Sequence, residues 1–351
     1  MKQFIQGTGV VLELELRQRM RAVAWYVLIG VFVVLVIIVT VLSDLAYQGF
    51  AQGTDDEGGL VFSIVIYFVL LLGTLVAPAL SGNAINGDRD AGTLATTQVT
   101  LVSTWQLLTG KFLAAWVMAL TFLIAATPCL IFAAWRGGLG ADTVVVSILV
   151  LAFELGVVAA IGVGLSALIS RPLFSIVLAY LAVAAISIGT LIAFMLGGAA
   201  TQVTVTYKYY SASDYNSEGV GTNCATAPEV SRQQAGRFDL FWGALVANPY
   251  VILGDAVPSH YNRDGYPTDL FGEIKYGVRS AQVAPKTEVS YSDCEEITDE
   301  GPNLKKLEKT TSPGWPVGLT IHALLAGGAL IGAWARIKTP AGRLTRGSRV
   351  A

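Results

Sequence analysis

The chain has 351 residues, of which 54% are hydrophobic and only 14% are charged, and its formal net charge is −2. A soluble domain carries roughly 25% charged residues, and the apolar residues of this chain lie in long blocks. The composition therefore excludes a soluble cytosolic enzyme and favours a polytopic membrane protein, in which the positions of the few charges are more informative than their total.

The segment ahead of the first apolar block alternates leucine with glutamate, as Leu12-Glu-Leu-Glu-Leu-Arg17. This period fits a strand, but a single strand has no partner here. As a helix, the segment places each glutamate four residues ahead of an arginine, which is the favourable order for an ion pair. We therefore predict an elbow helix that lies along the inner membrane surface, with an apolar stripe of Leu12, Leu16 and Met20.

Six stretches contain the roughly 20 mostly apolar residues that a transmembrane helix requires. Numbered as spans one to six, they cover residues 23–42, 60–80, 112–135, 143–170, 172–198 and 316–334. Span one is too long for the apolar part of a signal peptide, so we expect it to remain in the mature protein. The predicted fold class is an all-α polytopic membrane protein with six transmembrane helices.

The short segments between spans predict the orientation, because lysine and arginine are retained in the cytoplasm. On one side, the short loops contain Arg136 as their only basic residue, beside five acidic residues. The other side carries twelve basic residues: Lys2, Arg17, Arg19, Arg21, Arg89, Lys111, Arg171, Arg336, Lys338, Arg343, Arg346 and Arg349. Both termini are therefore predicted to be cytoplasmic, and residues 199–315 to form a large extracellular loop.

Within that loop, the apolar run 240–257 resembles a seventh span by composition. The run is short, begins beside Arg237 and Asp239, and contains Asn248 and Asp255. A seventh span would also place the basic C-terminus outside. We therefore interpret the run as a re-entrant or interfacial segment, because non-helical backbone is tolerated at membrane depth where protein covers it.

The three cysteines fall in two environments. Cys129 lies in span three and is interpreted as a small buried hydrophobic residue. Cys224 and Cys294 both lie in the predicted extracellular loop, where an oxidising compartment favours a disulfide. Two free thiols are the alternative.

Motifs for nucleotide hydrolysis and metal binding are absent from the sequence. The one candidate for a phosphate-binding loop, Gly110-Lys111, has Trp105 where the motif requires glycine and Phe112 where it requires serine or threonine. The only histidines, His260 and His322, are far apart in sequence. We therefore predict that the chain is not an enzyme and holds no metal.

The most informative stretch lies between spans two and three, within residues 81–111. Asp88-Arg89-Asp90 forms a compact charged group, and Gly92-Thr93 permits a turn. Ser103 and Gln106 have the spacing of a capping box, so the run from Trp105 is predicted to be helical and to lead into span three. These features describe a helix-turn-helix bracket on the cytoplasmic face, with an ordinary connecting loop as the alternative.

The bracket resembles the corresponding loop of the ABC type-2 permease family, the membrane subunits of many bacterial ABC exporters. In that family the loop reads acidic-basic-acidic, then Gly-Thr, then threonine and serine, then Gly-Lys. This chain has Asp88-Arg89-Asp90, Gly92-Thr93, Thr100-Leu-Val-Ser103 and Gly110-Lys111 in the same order. It differs in having Asp90 where glutamate is usual and Leu101 where proline is common. The resemblance covers about 200 N-terminal residues and the last span.

The resemblance implies a mechanical role in a bacterial cell membrane. Two copies of a cytoplasmic ATPase subunit, which would bind ATP and Mg, would dock on the bracket, and two permease copies or a related pair would form one pathway. This chain would itself bind no cofactor and no nucleic acid. The residues implied to couple to the ATPase subunit are Asp88, Arg89, Asp90, Gly92, Thr93, Leu94 and Val99.

Two ionisable residues lie inside predicted spans. Glu154 in span four is either a substrate or ion-coupling group or a carboxylate satisfied by a neighbouring helix, since a charge there costs at least about 2.5 to 3.5 kcal/mol. His322 in span six is interpreted mainly as a packed, hydrogen-bonded residue. Both are retained as candidates for the transport pathway.

Small residues recur at four-residue spacing and predict close helix packing. Packing within the chain is the first interpretation and contact between two copies is the second. The residues concerned are Gly156, Ala160 and Gly164 in span four and Gly328 and Gly332 in span six.

Three functions are compatible with these features. The leading prediction is the permease subunit of an ATP-driven exporter, with residues 1–198 as the main transmembrane unit, 199–315 as the outer loop and 316–351 as the last span and basic tail. The second is a proton-coupled secondary transporter that uses Glu154. The third is a non-transporting sensor or assembly protein of the cell envelope, whose function lies in the outer loop.

Overall fold

The computed structural model describes residues 2–50, 59–92, 103–215, 221–262, 266–294 and 304–337, and 73% of these described residues are helical. The N-terminal helix is Lys2–Met20. Six helices in the described chain are long and apolar enough to cross a membrane, which confirms the number of spans. They are Val23–Phe50, Gly59–Ser81, Thr104–Arg136, Ala141–Leu168, Pro172–Ala200 and Trp315–Ile337.

The capping box at the start of span three is confirmed. The Ser103 hydroxyl accepts from the Gln106 N–H, and the Gln106 side chain accepts from the Ser103 N–H at 2.6 Å. This cap starts the helix at Thr104, eight residues before the apolar stretch begins. Span three therefore has a helical extension, residues 104–111, ahead of the predicted apolar stretch.

Spans two, three and four form the centre of the bundle, whereas spans one, five and six expose most of their apolar side chains. Phe122 of span three is fully buried and meets the rings of Trp25 and Phe32 edge to face, at centroid distances of 5.2 and 5.0 Å. Edge-to-face pairs of this kind contribute about 0.5–1.5 kcal/mol beyond their area. These contacts attach span one to the bundle centre.

The small residues of span four lie at the closest helix contacts. Gly164 faces span six so closely that an added Cβ would lie 2.7 Å from the Ala329 Cβ, and Gly156 faces Trp116 of span three. Ala160 is fully buried. On span six, Gly328 faces open space within the described chain, and Gly332 meets Leu168 at an ordinary 3.8 Å.

Span five contains one irregular turn. Residues Ala185–Gly189 are π-helical, between the regular helices Pro172–Ala184 and Thr190–Ala200. A π-turn leaves backbone carbonyls available to other partners. The Ser187 carbonyl accepts a hydrogen bond from the Asn248 amide at 2.6 Å, so the turn provides the attachment point for a segment far along the chain.

The segment between spans five and six corrects the all-α prediction, because it contains a three-stranded sheet. Strand β1 (Gln202–Tyr210) lies between antiparallel β2 (Glu229–Gly236) and parallel β3 (Glu288–Ser292). Threonine, valine and tyrosine dominate β1, and these residues favour extended backbone. Apolar composition identifies membrane-spanning helices but does not identify a short polar sheet.

The apolar run 240–257 forms no candidate span among the described residues. It folds into two short helices, Trp242–Val246 and Pro249–Ala256, separated at Ala247 and Asn248. The Asn248 side chain caps the second helix by accepting from the Tyr250 and Val251 N–H groups. That the run enters the membrane remains a prediction.

Cys224 and Cys294 form the predicted disulfide, which joins the end of the β1–β2 connection to the residues after β3, whereas Cys129 is free. We expect the double substitution Cys224→Ser/Cys294→Ser to destabilise the segment by about 4 kcal/mol, since the bridge closes a separation of 70 residues. Protease sensitivity of the purified protein measures the loss. Cys129→Ala is the matched control and should leave sensitivity unchanged; equal sensitivity of the double variant and wild type would contradict the expectation.

Candidate functional site

A buried lysine lies at the centre of the bracket. Lys111, near the start of span three, is 1% exposed. Its ammonium contacts the Glu15 carboxylate, lies 2.7 Å from Asp88 Oδ2 and donates to the Ala84 carbonyl at 2.9 Å. A buried ammonium is stable only when paired and hydrogen-bonded. Lys111 therefore binds the N-terminal helix and the bracket to span three.

The bracket begins with a short helix, Asn86–Asp90, which is anchored to the end of span four. The Ser166 hydroxyl accepts from the backbone N–H groups of Ile85 and Asn86, at 3.0 and 3.1 Å. The Asn86 amide donates to the Ile169 carbonyl at 2.7 Å. Arg89 in turn donates to Asn86 Oδ1 at 2.7 Å, so the bracket is joined to span four by backbone and side chains.

The N-terminal helix packs along the helical extension of span three, residues 104–111. The Gln106 amide donates to the Gln3 carbonyl at 2.9 Å, and an added Cβ at Gly110 would lie 2.6 Å from the Val11 Cβ. Arg19 donates to the Leu80 carbonyl at the end of span two, at 2.5 Å. The predicted helix is confirmed, but its packed face contains Thr8, Val11 and Glu15, and Met20 of the predicted stripe is exposed.

The residues predicted to couple to an ATPase subunit fall into three groups. Asp88 and Arg89 are half-buried and bonded inside the protein. Asp90 and Gly92 are exposed, and Gly92 has a φ of +68°, which forms the predicted turn and favours glycine. The remaining three, Thr93, Leu94 and Val99, lie outside the described residues.

Sequence reasoning missed the roles of Glu15 and Lys111. The four-residue spacing pairs Glu15 with Arg19, and their charged groups do lie 3.4 Å apart. The Glu15 carboxylate also contacts Lys111, which is 96 positions away in the sequence. Lys111 lies beside a long apolar run, where a cation requires a partner, and this position could have indicated that Lys111 is paired. The neighbouring Glu13–Arg17 pair is the exposed counterpart of this buried contact.

The structure brings together Glu154 and His322, the two pathway candidates. His322 Nδ1 lies 2.7 Å from Glu154 Oε2, and His322 Nε2 lies 2.9 Å from the Ala247 carbonyl. Both side chains are at most 1% exposed. One imidazole therefore connects span four, span six and the break between the two short helices of the 240–257 run.

The partners of His322 determine where its protons lie. A carbonyl only accepts, so Nε2 must carry hydrogen and donate to Ala247. Nδ1 faces a carboxylate oxygen, so one further proton must lie between Nδ1 and Glu154 Oε2. The pair thus holds a bridging proton and has no net charge, whichever atom carries the proton. Glu154 Oε1 has no hydrogen-bond partner among the described residues.

A second buried ion pair holds the start of span six. Asp255 accepts from Arg279 Nε at 2.8 Å and from the backbone N–H groups of Gly314 and Trp315, at 2.8 and 3.0 Å. A carboxylate at a helix N-terminus is stabilised by these unpaired N–H groups. Nearby, burial lowers the pKa of the Lys275 ammonium, which donates to the Val257 carbonyl. The hydrogen bonds of Asp255 therefore fix the start of span six relative to the short helix Pro249–Ala256.

Six apolar helices arranged around buried, charge-paired groups define a multi-pass membrane protein. The sequence profile of the ABC-2 family transporter protein matches residues 10–221, more than half of the chain, so the chain belongs to the ABC-2 transporter family. Members of this family are in general the non-enzymatic membrane component of an ABC transporter that has an ATPase partner. No curated protein matches the chain. The matched region contains the bracket and Glu154 but ends before His322.

Proposed function

We propose that this chain is the permease subunit of an ATP-driven ABC exporter, and that the bracket receives the movement of a separate ATPase subunit. Two ATPase copies and a second permease, identical or related, would complete the transporter. The observation that carries the proposal is the buried Lys111, which contacts the N-terminal helix, the bracket and span three at one point. A displacement of the bracket would therefore move these elements as one rigid body.

The two ends of the bundle support the proposed sidedness, with the bracket in the cytoplasm and the sheet outside. Span five leaves the bracket end, where the Ser175 hydroxyl donates to the Gly82 carbonyl at 2.7 Å, and leads at its other end directly into strand β1. The sheet and the Cys224–Cys294 disulfide are therefore at the opposite end from the bracket. A disulfide requires an oxidising compartment, and the basic residues favour the cytoplasm.

Within the bracket, we assign different roles to the two aspartates. Asp88 is bonded to Lys111 and maintains the shape of the bracket. Asp90 is exposed at the end of the short helix, beside the turn at Gly92, and is suited to contact a partner. Arg89 is half-buried and is held next to this surface by its hydrogen bond to Asn86. Thr93, Leu94 and Val99 remain the proposed turn and apolar contacts.

The assignment predicts that Asp90→Asn weakens association with the ATPase subunit while leaving the permease folded. We expect at least a fivefold loss of the co-purified ATPase subunit and a matching loss of ATP turnover, because one surface charge is removed from the contact. Asp142→Asn is the matched control, since Asp142 is an exposed acid in the first turn of span four, at the opposite end of the bundle. Equal recovery of the ATPase subunit with both variants would contradict the coupling role.

A proton-coupled transporter that uses Glu154 is the second candidate, favoured by the burial of an ionisable group in the middle of span four. The geometry of the pair favours the exporter, because His322 holds the bridging proton between two fixed partners. A proton carrier must release its proton. Release of the bridging proton would leave the lone pair of His322 Nδ1 facing the Glu154 carboxylate, and the two would repel each other. The substitution that separates the two candidates is Glu154→Gln.

A further inference from the structure

A cleft lies at the elbow where the N-terminal helix meets span one. Its volume is about 380 Å³, and its lining includes Arg19, Trp25, Leu28, Leu80, Asn83 and Met118. Three spans and the N-terminal helix contribute to its walls. It adjoins the Lys111 contact through Glu15, which also pairs with Arg19, but none of Lys111, Glu154 and His322 lines it, so the roles described above do not account for it.

The cleft is polar at one end and apolar at the other. Arg19 and Asn83 lie outside the apolar spans, at the end of the N-terminal helix and just after span two. On span one, Leu28 lies six residues beyond Ala22 at the elbow, and on span three, Met118 lies seven residues beyond Lys111. Each of the two apolar residues is therefore about 10 Å further along its helix than the residue it is measured from. This gradient matches an amphiphile with its head group at the membrane surface.

The polar end carries positive charge. Arg19 donates to the Leu80 carbonyl and to Glu15, which uses two of the five N–H donors of a guanidinium. Glu15 and Asp88 balance Arg19 and Lys111. Arg21, two residues further along, is exposed, and no ion pair joins it to another described residue. Arg21 does not line the cleft but directly precedes Ala22, which does, so its positive charge lies beside the cleft and favours an anionic head group.

The apolar end adjoins the exposed face of span one. Val23, Tyr26 and Val27 are 76%, 61% and 59% exposed, whereas Trp25 between them is 8% exposed and lines the cleft. The cleft thus borders a surface that lies against lipid in a multi-pass membrane protein. We propose that it binds one anionic phospholipid, with the phosphate near Arg19 and Arg21 and an acyl chain along Trp25, Leu28 and Met118.

Native mass spectrometry of the full chain in detergent tests the proposal, with phosphatidylglycerol, phosphatidylcholine and glycerol 3-phosphate as the three added probes. We expect phosphatidylglycerol to bind at least fivefold more tightly than phosphatidylcholine, and glycerol 3-phosphate to leave the spectrum unchanged. Arg21→Gln should remove the preference for the anionic lipid. Equal binding of the two lipids by the wild-type protein, or binding of glycerol 3-phosphate as tight as that of phosphatidylglycerol, would overturn the proposal.

Two substitutions on one helix locate the site. Ala24→Phe fills the cleft that Ala24 lines, and it should weaken phosphatidylglycerol binding about tenfold. Val27→Phe is the matched control, since Val27 is exposed three residues away and lies outside the lining. Leu28→Trp narrows the same cleft and replaces Ala24→Phe if that variant does not fold. Equal binding by the cleft variant and by Val27→Phe would show that the lipid binds elsewhere and would overturn the proposal.

Discussion

Replacing both Glu15 and Asp88 with their amides is expected to destabilise the protein by about 3–5 kcal/mol, more than the two single substitutions together. Lys111 is 1% exposed and contacts both carboxylates, so each single variant leaves it one counter-charge, and we expect a cost of about 1–2 kcal/mol each. The double variant leaves a buried ammonium without a counter-charge, which is the costly case. The free energy of unfolding in detergent micelles measures the difference.

Lys111→Met in the Glu15→Gln/Asp88→Asn background should recover most of that loss, because the three charges are then replaced together. Glu13→Gln is the matched control from the same helix. Its pair with Arg17 is 62% and 71% exposed on the two side chains, so removing it should change stability by less than about 0.5 kcal/mol. Additive single costs, without recovery by Lys111→Met, would contradict a central role for Lys111.

His322→Leu is expected to destabilise the transmembrane bundle by about 3–5 kcal/mol, whereas Glu154→Gln should change stability by less than about 1 kcal/mol. The leucine lacks the imidazole that joins the two partners, so it leaves Glu154 buried without its partner and the Ala247 carbonyl without its donor. In Glu154→Gln, the amide N–H replaces the bridging proton and donates to Nδ1. The same measurement of unfolding in micelles distinguishes the two variants.

Transport assays with Glu154→Gln also test the function of the pair. If the bridging proton only maintains the structure, Glu154→Gln should retain ATP-dependent transport near the wild-type rate. If the pair couples transport to protons, transport by Glu154→Gln should disappear. Ser147→Ala is the matched control, because Ser147 is buried in the same helix but bonds only locally, to the Thr143 carbonyl at 2.5 Å. If Glu154→Gln is as destabilised as His322→Leu, the bridging-proton geometry is wrong.

Local sequence signals predicted the elements that depend on neighbouring residues. The six spans follow from the length of each apolar stretch, and the start of span three follows from Ser103 and Gln106, three residues apart. The disulfide follows from two cysteines in one predicted compartment. In each case the physical cause lies within one segment or one environment, so a single sequence contains the necessary information.

The long-range contacts could not be predicted in this way. Glu154 and His322 are 168 positions apart, and only the packing of span four against span six makes them neighbours. Asn248 reaches the π-helical turn in span five across 61 positions, and no local pattern indicates the turn. The sheet was missed for a related reason, since parallel β3 pairs with β1 from about 80 positions away.

The order in which the partners of each buried ion pair are synthesised differs between the two sites. Glu15, Asp88 and Lys111 all precede span four, so these three charged groups can come together before span four, which anchors the bracket, has been made. Glu154 must wait for 168 further residues before His322 is made, on the order of ten to thirty seconds at ordinary rates of elongation. This pair can therefore close only after span six has been made, and a chain that stops before span six retains Glu154 in span four without its histidine partner.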